Sequence, residues 1–268
     1  MPKVQVNDIQ IAYEVQGEGH PLLLIAGVGY SAWYWNKIIP GLAENYQVIS
    51  FDNRGAGDSG KPAGPYSVRM MAEDTIGLLE ALHIPSAHVM GHSLGGFIAQ
   101  ELIQLKPDLV SKLVLASTNP GGMDVIPITH EAMDVLTNRD GEPLELITRG
   151  IAIACAPGFV EREPEVVQEL IAYRFTNPVP PEQYQAQVMA GAGMSTLSAQ
   201  QVKERTAAIS VPTLILFGEF DQVVPPGNAE ILQANISDTQ VKIIPNTGHM
   251  FPIEDPETTV AFLHQFLR

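Results

Sequence analysis

Several short segments of this chain are almost entirely apolar. They cover residues 21–26, 47–51, 87–90, 112–116 and 212–217, with residues 240–244 as a weaker example. Strands that are buried on both faces have this composition, which is typical of a parallel sheet covered by helices. Before them, apolar and polar residues alternate over 4–7 and 10–16 and predict an antiparallel hairpin.

Helical patterns lie between these segments. We predict helices over residues 34–44, 67–82, 94–105, 226–235 and 256–267. Strands and helices that alternate in this way form an α/β domain, with a mostly parallel central sheet and helices on both of its faces.

Residues 120–207 interrupt this alternation. Helical patterns at residues 131–136 and 165–171 follow one another there without a convincing strand between them. We therefore predict a core domain formed by residues 1–119 and 208–268, and a helical cap formed by residues 120–207 and inserted after the sixth strand.

The composition limits the partners of the protein. The 268 residues carry a formal net charge of −15, so we expect neither nucleic acid nor an anionic membrane as a partner, because their phosphates would be repelled. The single Cys155 cannot form an internal disulfide. No signal-peptide pattern opens the sequence and no apolar stretch is long enough to span a bilayer, so we expect a cytoplasmic protein. The oligomeric state stays open, and a homo-oligomer is one alternative.

Ser93 stands between closely spaced glycines in the segment Gly91-His92-Ser93-Leu94-Gly95, where a predicted strand ends and a predicted helix begins. A serine on so tight a turn adopts a strained backbone, and glycines two residues before and after it remove side chains that would clash. The turn would expose the Ser93 hydroxyl at the carboxyl edge of the sheet, next to the positive end of the helix. We expect a structural role for His92, beside it.

A serine hydroxyl is a weak nucleophile, so it needs a base, and the base needs a carboxylate to orient it. Two candidates follow predicted strands: Asp221, in the segment GEFDQVVP at 218–225, and His249, in the segment NTGHM at 246–250. Glu219 is the rival carboxylate, but it lies closer to the strand, and the spacing from Gly218 favours Asp221.

Four motifs carry a resemblance to a known family: GHSLGG at 91–96, FDNRGAGDSG at 51–60, GEFDQVVP at 218–225 and NTGHMFPIEDP at 246–256. With them the sequence resembles an α/β-hydrolase-fold protein of the serine-nucleophile branch over nearly its whole length. The resemblance implies Ser93 as the nucleophile, His249 as the general base and then acid, and Asp221 as the residue that orients His249. Some members carry the acid after the preceding strand, but the turn at 117–120 has no carboxylate here.

The resemblance also implies two backbone N–H groups that would stabilise an oxyanion. The N–H of Leu94 is one of them. The other comes from the loop at 26–30, where family members usually begin with His-Gly and the next residue donates; this residue is Val28, with Gly29 as the alternative. Ala26 replaces the histidine, so a hydrogen bond that usually steadies the loop is missing.

Apolar side chains near the cap are candidates for a substrate pocket. The candidates are Tyr30, Trp33, Met123, Met189, Met194, Val223 and Met250. The histidines lack the spacing of a metal site, so we expect no metal ion and no cofactor. For Asp52 and Arg54 we expect a turn braced by an ion pair rather than a second catalytic site.

The expected reaction is hydrolysis of a small carboxylic ester through an acyl-enzyme on Ser93. The stretch GPYSV at 64–68 resembles the 3-oxoadipate enol-lactonases, so lactone hydrolysis is the first alternative. Such an acidic lactone would need a cation in the pocket, and the candidates in the cap are Arg139, Arg149, Arg162 and Arg174. A cofactor-free haloperoxidase or perhydrolase is a second alternative, and a small-molecule receptor with weak hydrolysis is a third.

Overall fold

The computed structural model describes residues 1–138 and 140–268 and is built around an eight-stranded sheet. The strands are β1 (Lys3–Val6), β2 (Ile9–Gln16), β3 (His20–Ile25), β4 (Tyr46–Phe51), β5 (Ala87–His92), β6 (Val110–Ala116), β7 (Thr213–Gly218) and β8 (Thr239–Ile244). Their order in the sheet is β1-β2-β4-β3-β5-β6-β7-β8. β2 pairs antiparallel with β1 and β4, and every other neighbouring pair is parallel.

Helices connect the strands and cover the sheet. They are α1 (Ile39–Leu42), α2 (Val68–Ala81), α3 (Leu94–Leu105), α4 (His130–Thr137), α5 (Pro143–Ala154), α6 (Phe159–Arg162), α7 (Pro164–Thr176), α8 (Pro181–Ala192), α9 (Ala199–Ala207), α10 (Asn228–Asn235), α11 (Phe251–Glu254) and α12 (Pro256–Leu267). The predicted fold class, an α/β fold with a mostly parallel sheet, is confirmed.

The apolar strands bury both of their faces, as their composition predicts. On β3, Leu23 and Ile25 belong to one apolar cluster, which includes side chains of α2 and α3. Leu22 and Leu24 point to the opposite face and belong to a second cluster, which includes side chains of α12. The sheet is therefore a rigid layer whose carboxyl edge can hold loops in fixed positions.

The helix predicted over residues 34–44 is wrong. A 3-10 helix, Ala32–Trp35, is followed by the short α1, which covers only Ile39–Leu42. Pro40 lacks a backbone N–H and is accommodated only in the first turn of a helix, so a helix that begins at residue 34 cannot continue through it.

Arg54 is buried and forms two ion pairs, but Asp52 is not one of its partners. Its Nε lies 2.6 Å from Asp74 Oδ2, and its Nη2 lies 2.9 Å from Asp8 Oδ1. Asp52 accepts hydrogen bonds from the backbone N–H groups of Ala32 and Asp58, each at 2.7 Å. Both residues brace the turn after β4, through separate sets of contacts.

Helices α4–α9, which we call the cap, lie between β6 and β7 in the chain. Side chains of α8 contact the loops after β3 and β4, and the segment that ends α5 packs against the loop after β8. The cap therefore covers the carboxyl edge of the sheet. Within the two described ranges, no helix combines the length and the apolar character that crossing a membrane requires.

Candidate active site

Ser93 occupies a strained turn between β5 and α3. Its φ is 55° and its ψ is −120°, a conformation that L-residues rarely adopt. A Cβ atom on Gly95 would lie 2.1 Å from the carbonyl oxygen of Ile25, and one on Gly91 would lie 2.2 Å from the carbonyl oxygen of Gly95. The two glycines are thus required by close approach of the backbone, as the sequence motif predicts.

His249 and Asp221 meet at the carboxyl ends of β7 and β8. His249 Nδ1 lies 2.8 Å from Asp221 Oδ2, and the other carboxylate oxygen accepts the backbone N–H groups of Val223 (2.9 Å) and Val224 (2.8 Å). With its proton on Nδ1 and donated to Asp221, the neutral imidazole keeps a lone pair on Nε2. Glu219, the rival carboxylate, instead accepts the backbone N–H of Asn246 at 2.9 Å.

Ser93 and His249 line the same cavity, the Asp221 side chain being buried behind the imidazole. In the described part of the chain no hydrogen bond joins Ser93 Oγ to His249 Nε2; such bonds often tighten only when a substrate is bound. The arrangement places a serine hydroxyl and an imidazole at one cavity, with a carboxylate hydrogen-bonded to the imidazole.

His92 contacts the loop after β8 that carries His249, which we call the histidine loop. Its Nε2 donates a hydrogen bond of 2.8 Å to the backbone oxygen of His249, and its ring centroid lies 4.6 Å from that of His249. Burial, with a smaller contribution from the His249 charge, holds the pKa of His92 well below its ordinary range. His92 is therefore a neutral ring that fixes the backbone of His249, in line with the structural role expected for it.

The loop that follows β3 lies opposite Ser93. Leu94 is the first residue of α3, so its N–H has no partner within the helix. Val28 N–H donates to no protein acceptor within the described ranges, whereas Gly29 N–H donates to Gln187 Oε1 at 2.8 Å. Because the Gly29 donor is occupied, Val28 is the better placed of the two residues to donate to a ligand.

The cavity has a volume of about 350 Å³ and a mostly apolar lining. Tyr30, Val223 and Met250 contribute to it, as predicted. The cap supplies apolar side chains that sequence reasoning did not single out: Leu136, Leu146, Ile147, Ile151 and Val188. Pockets of this kind accommodate small apolar ligands. Across the two described ranges, no cluster of His, Cys, Asp and Glu side chains forms a metal site.

Four predicted pocket residues lie elsewhere, and the prediction is corrected for them. Trp33 stacks on Tyr173 at 4.0 Å between ring centroids, outside the cavity. Met123 and Met189 are exposed, at 83% and 56%, and Met194 is buried in the apolar cluster beside α3. Met189 points outward because the neighbouring Ala186, Gln187 and Ala190 form the inward face of α8.

Among the arginines considered in the cap, Arg174 lines the cavity. It donates to the backbone oxygen of Gly29, and its guanidinium lies 4.7 Å from the ring centroid of Tyr30. It forms no ion pair with a carboxylate in the part of the chain that the structure describes. Arg149 and Arg162 bond to backbone oxygens of their own neighbourhood, and Arg139 lies outside the described residues.

Glu254 joins the histidine loop to the cap and was not identified from the sequence. Its carboxylate accepts the backbone N–H of Gly248 (2.9 Å), which precedes His249, and that of Ala156 (2.7 Å), which follows α5. Burial raises the pKa of Glu254 to about 7, although the two backbone hydrogen bonds favour the ionised form. The loop motif around His249 contains this residue, but nothing in the sequence indicates its contact with the cap.

The family model that matches this chain describes the alpha/beta hydrolase fold and covers residues 20–256. The chain belongs to this family. The chain is also similar to a named hydrolase: the putative carbamate hydrolase RutD of Azorhizobium caulinodans is 30% identical over 265 residues, which cover 96% of this chain and 94% of that protein.

Solved structures share the architecture. A thermophilic esterase from Thermogutta terrifontis has a TM-score of 0.85 and 27% sequence identity, with 100% of this chain and 98% of that chain covered. An enol-lactonase from Burkholderia xenovorans has a TM-score of 0.82 at 22% identity, with 99% of each chain covered, and shows a common fold. Family and relatives together support a hydrolase.

Proposed function

We propose that this protein is a serine hydrolase that cleaves small carboxylic esters through an acyl-enzyme on Ser93. One observation carries the proposal: the strained Ser93 turn and the Asp221-bound His249 face a single, mostly apolar cavity. Nucleophile, base and orienting carboxylate in this arrangement suit acyl transfer.

In the acylation step, Ser93 Oγ attacks the ester carbonyl carbon and His249 Nε2 takes the hydroxyl proton. Asp221 stabilises the imidazolium that forms, since its carboxylate already accepts the Nδ1 proton. The negative charge on the carbonyl oxygen is received by the N–H groups of Leu94 and Val28, near the N-terminus of α3.

The tetrahedral intermediate then collapses. The bond between the carbonyl carbon and the alcohol oxygen breaks, and His249 gives its proton to the departing alcohol. Water next attacks the acyl-enzyme with His249 as the base, and a carboxylic acid leaves while Ser93 is restored. The cycle requires no metal ion and no cofactor.

A second candidate is hydrolysis of a lactone that carries a carboxylate. The half-buried Arg174 guanidinium, which lines the mostly apolar cavity and has no carboxylate partner in the described part of the chain, favours it, because such a cation can pair with a substrate carboxylate. The same acyl chemistry would open the ring, with the alcohol remaining tethered to the acid. A carbamate substrate, as in the name of the RutD relative, would pass through a carbamoyl-Ser93 instead.

The test is turnover of p-nitrophenyl esters of increasing acyl length, beside lactones with and without a free carboxylate and a p-nitrophenyl carbamate. Ser93→Ala is the control. We expect Ser93-dependent cleavage of esters that the cavity accommodates. Preference for acidic lactones, lost in Arg174→Met, would replace the ester proposal by the second candidate. Equal rates for wild type and Ser93→Ala would overturn the role of Ser93.

The proposal includes a cytoplasmic location and a small-molecule substrate. The low cysteine content, a single buried Cys155, supports the location, because domains of oxidising compartments often carry several cysteines in disulfides. The net charge of −15 supports a substrate other than nucleic acid. A homo-oligomer remains an alternative that gel filtration with light scattering would decide.

A further inference from the structure

Gln187 is a fully buried polar side chain of the cap whose amide is bonded at both ends to the core. Its Oε1 accepts the N–H of Gly29 at 2.8 Å, and its Nε2 donates to the backbone oxygen of Arg54 at 2.8 Å. The side chain has an exposed fraction of 0%. A buried amide that satisfies a donor and an acceptor of two different loops fixes the distance between them.

The loop that Gln187 holds is the one that carries Val28. On one side of Val28, the oxygen of Ala26 accepts a hydrogen bond of 3.0 Å from the Asn53 side chain, which belongs to the core. On the other side, Gly29 is held by Gln187 through its N–H and by Arg174 through its oxygen. Beyond Val28, the Tyr30 N–H closes the turn by donating to the Gly27 oxygen at 3.4 Å, and the side chains that hold Gly29 come from the cap.

Gly29 also allows the cap to approach this loop closely. Its φ is +72°, and a Cβ atom there would lie 3.0 Å from the ring of Tyr184 on α8. The loop conformation that presents the Val28 N–H therefore fits the position of α8 when α8 is seated, that is, packed against the core. If α8 moved away, Gly29 would lose its Gln187 acceptor, and the peptide before it could rotate.

From this geometry we propose that Gln187 is a positioning residue for the oxyanion loop, so that the loop is correctly placed only while α8 is seated. The inference rests on the proposed acyl transfer at Ser93 and extends it, because it makes the cap part of the machinery that stabilises the oxyanion. Gln187 itself touches no reacting atom. It acts through the backbone of Gly29 on the neighbouring Val28.

The chain contains a matched control one helical turn away. Gln183 also lies on the inward face of α8, has an exposed fraction of 7%, and donates to the backbone oxygens of Lys61 (3.4 Å) and Pro62 (3.2 Å). It anchors the same helix to the core, but in the described part of the chain it forms no hydrogen bond with the loop at 26–30. Loss of either glutamine weakens the seating of α8, whereas only the loss of Gln187 frees Gly29.

The experiment compares Gln187→Met with Gln183→Met in the full chain, each assayed well below its own melting temperature. On a p-nitrophenyl ester, we expect kcat of Gln187→Met to fall about 10- to 100-fold with KM nearly unchanged, since a misplaced oxyanion donor affects the transition state. Gln183→Met should stay within about threefold of wild type. A trifluoromethyl ketone, whose Ser93 adduct carries an oxyanion, should lose affinity in parallel with kcat only in Gln187→Met.

Hydrogen exchange of the peptide that covers residues 26–30 gives a readout that does not depend on turnover. We expect faster exchange there in Gln187→Met and wild-type exchange in Gln183→Met. Gln187→Asn, which keeps the amide but is one methylene too short to span both loops, and Gln183→Asn repeat the comparison if a methionine variant does not fold.

Two results would overturn the positioning role: equal kcat in the two variants, or equal exchange of residues 26–30. If wild type shows no Ser93-dependent turnover, the proposed function fails instead, and the exchange comparison alone decides whether Gln187 holds the loop.

Discussion

The core and the cap form one cavity by different means. In the core, close backbone contacts and backbone hydrogen bonds hold Ser93, Asp221 and His249 in place. In the cap, most of the cavity face consists of apolar side chains on α4, α5 and α8, and Arg174 of α7 is a charged exception. Under the proposed function, the core determines which bond is broken and the cap determines which acyl groups fit.

The two parts also tolerate change differently at their glycines. Gly95, in the core, has backbone atoms of β3 where a Cβ would lie, whereas Gly150, in α5 of the cap, has no neighbouring atom within 4 Å of that position. Because Gly95 has rigid neighbours and Gly150 has open space around it, substitutions at these two glycines directly compare the packing of the core with that of the cap.

The largest expected effect is in the core, at Asp221. In Asp221→Asn, the single side-chain oxygen would be needed by the N–H groups of Val223 and Val224, so the NH₂ group would face His249 Nδ1. The imidazole would then carry its proton on Nε2 and could not accept one from Ser93. We expect kcat to fall about a thousand- to ten-thousand-fold, measured on the best ester substrate.

Glu219→Gln is the control for this change. Glu219 is exposed, and the glutamine oxygen can still accept the N–H of Asn246. We expect its kcat to stay within about twofold of wild type. A large loss of kcat in Glu219→Gln together with a small loss in Asp221→Asn would show that Glu219, and not Asp221, orients His249.

A smaller but still severe effect is expected at Gly95. In Gly95→Ala, the new methyl carbon would lie 2.1 Å from the oxygen of Ile25, so α3 or β3 must shift. We expect the free energy of unfolding to decrease by about 3 kcal/mol or more, measured by urea denaturation. Wild-type stability in this variant would mean that the Ser93 turn is less rigid than its contacts indicate.

The contrast between core and cap also explains what the sequence could predict. The strands and the Ser93 turn were predictable because strand composition and glycine spacing act locally. The positions of Asp221 and His249 were predictable because each follows a predicted strand, and parallel strands bring their carboxyl ends to one edge of the sheet. The helix predicted over residues 34–44 is wrong for a local reason as well, because its helical pattern includes Pro40, which a helix interior does not accommodate.

The missed residues depend on contacts between distant parts of the chain. Gln187 and Gly29 are 158 residues apart, and a glutamine in a helix of mixed composition is usually exposed. Met189 was chosen for its apolar side chain, but the rotation of α8 places Val188 at the cavity instead. Where a helix lacks a clear apolar face, its orientation follows from packing that composition does not reveal.

Glu254 lies where the core meets the cap, and its ionisation should make the stability of the fold depend on pH. Its pKa in the folded protein, about 7, lies above the ordinary value of 4.5, so between these values the folded chain binds more protons than the unfolded chain. This contribution to stability is complete below about pH 4.5 and is lost as the pH rises through about 7. The loss is at most about 1.4 kcal/mol per pH unit.

Glu254→Gln cannot ionise, and its unfolding measured beside wild type from pH 4.5 to 8 isolates this contribution. We expect the stability of wild type relative to the variant to decrease as the pH rises across this range. A difference that is constant with pH would show that Glu254 titrates in the fold as it does in the unfolded chain, and that the junction is more hydrated than its burial indicates.

The smallest effect, and one of opposite sign, is expected at Gly150. Because this glycine lies inside α5 with open space around its Cβ position, Gly150→Ala should stabilise the protein by about 0.5–1 kcal/mol through helix propensity. The added methyl group enters the cavity, so the ratio of kcat/KM for long over short acyl esters should fall by less than about tenfold. Urea unfolding and the ester series measure both. Destabilisation comparable to that of Gly95→Ala would show that the cap is packed as rigidly as the core. A stabilised variant with an altered chain-length preference would instead show that the cap selects the acyl group, separately from the core residues that cleave the ester bond.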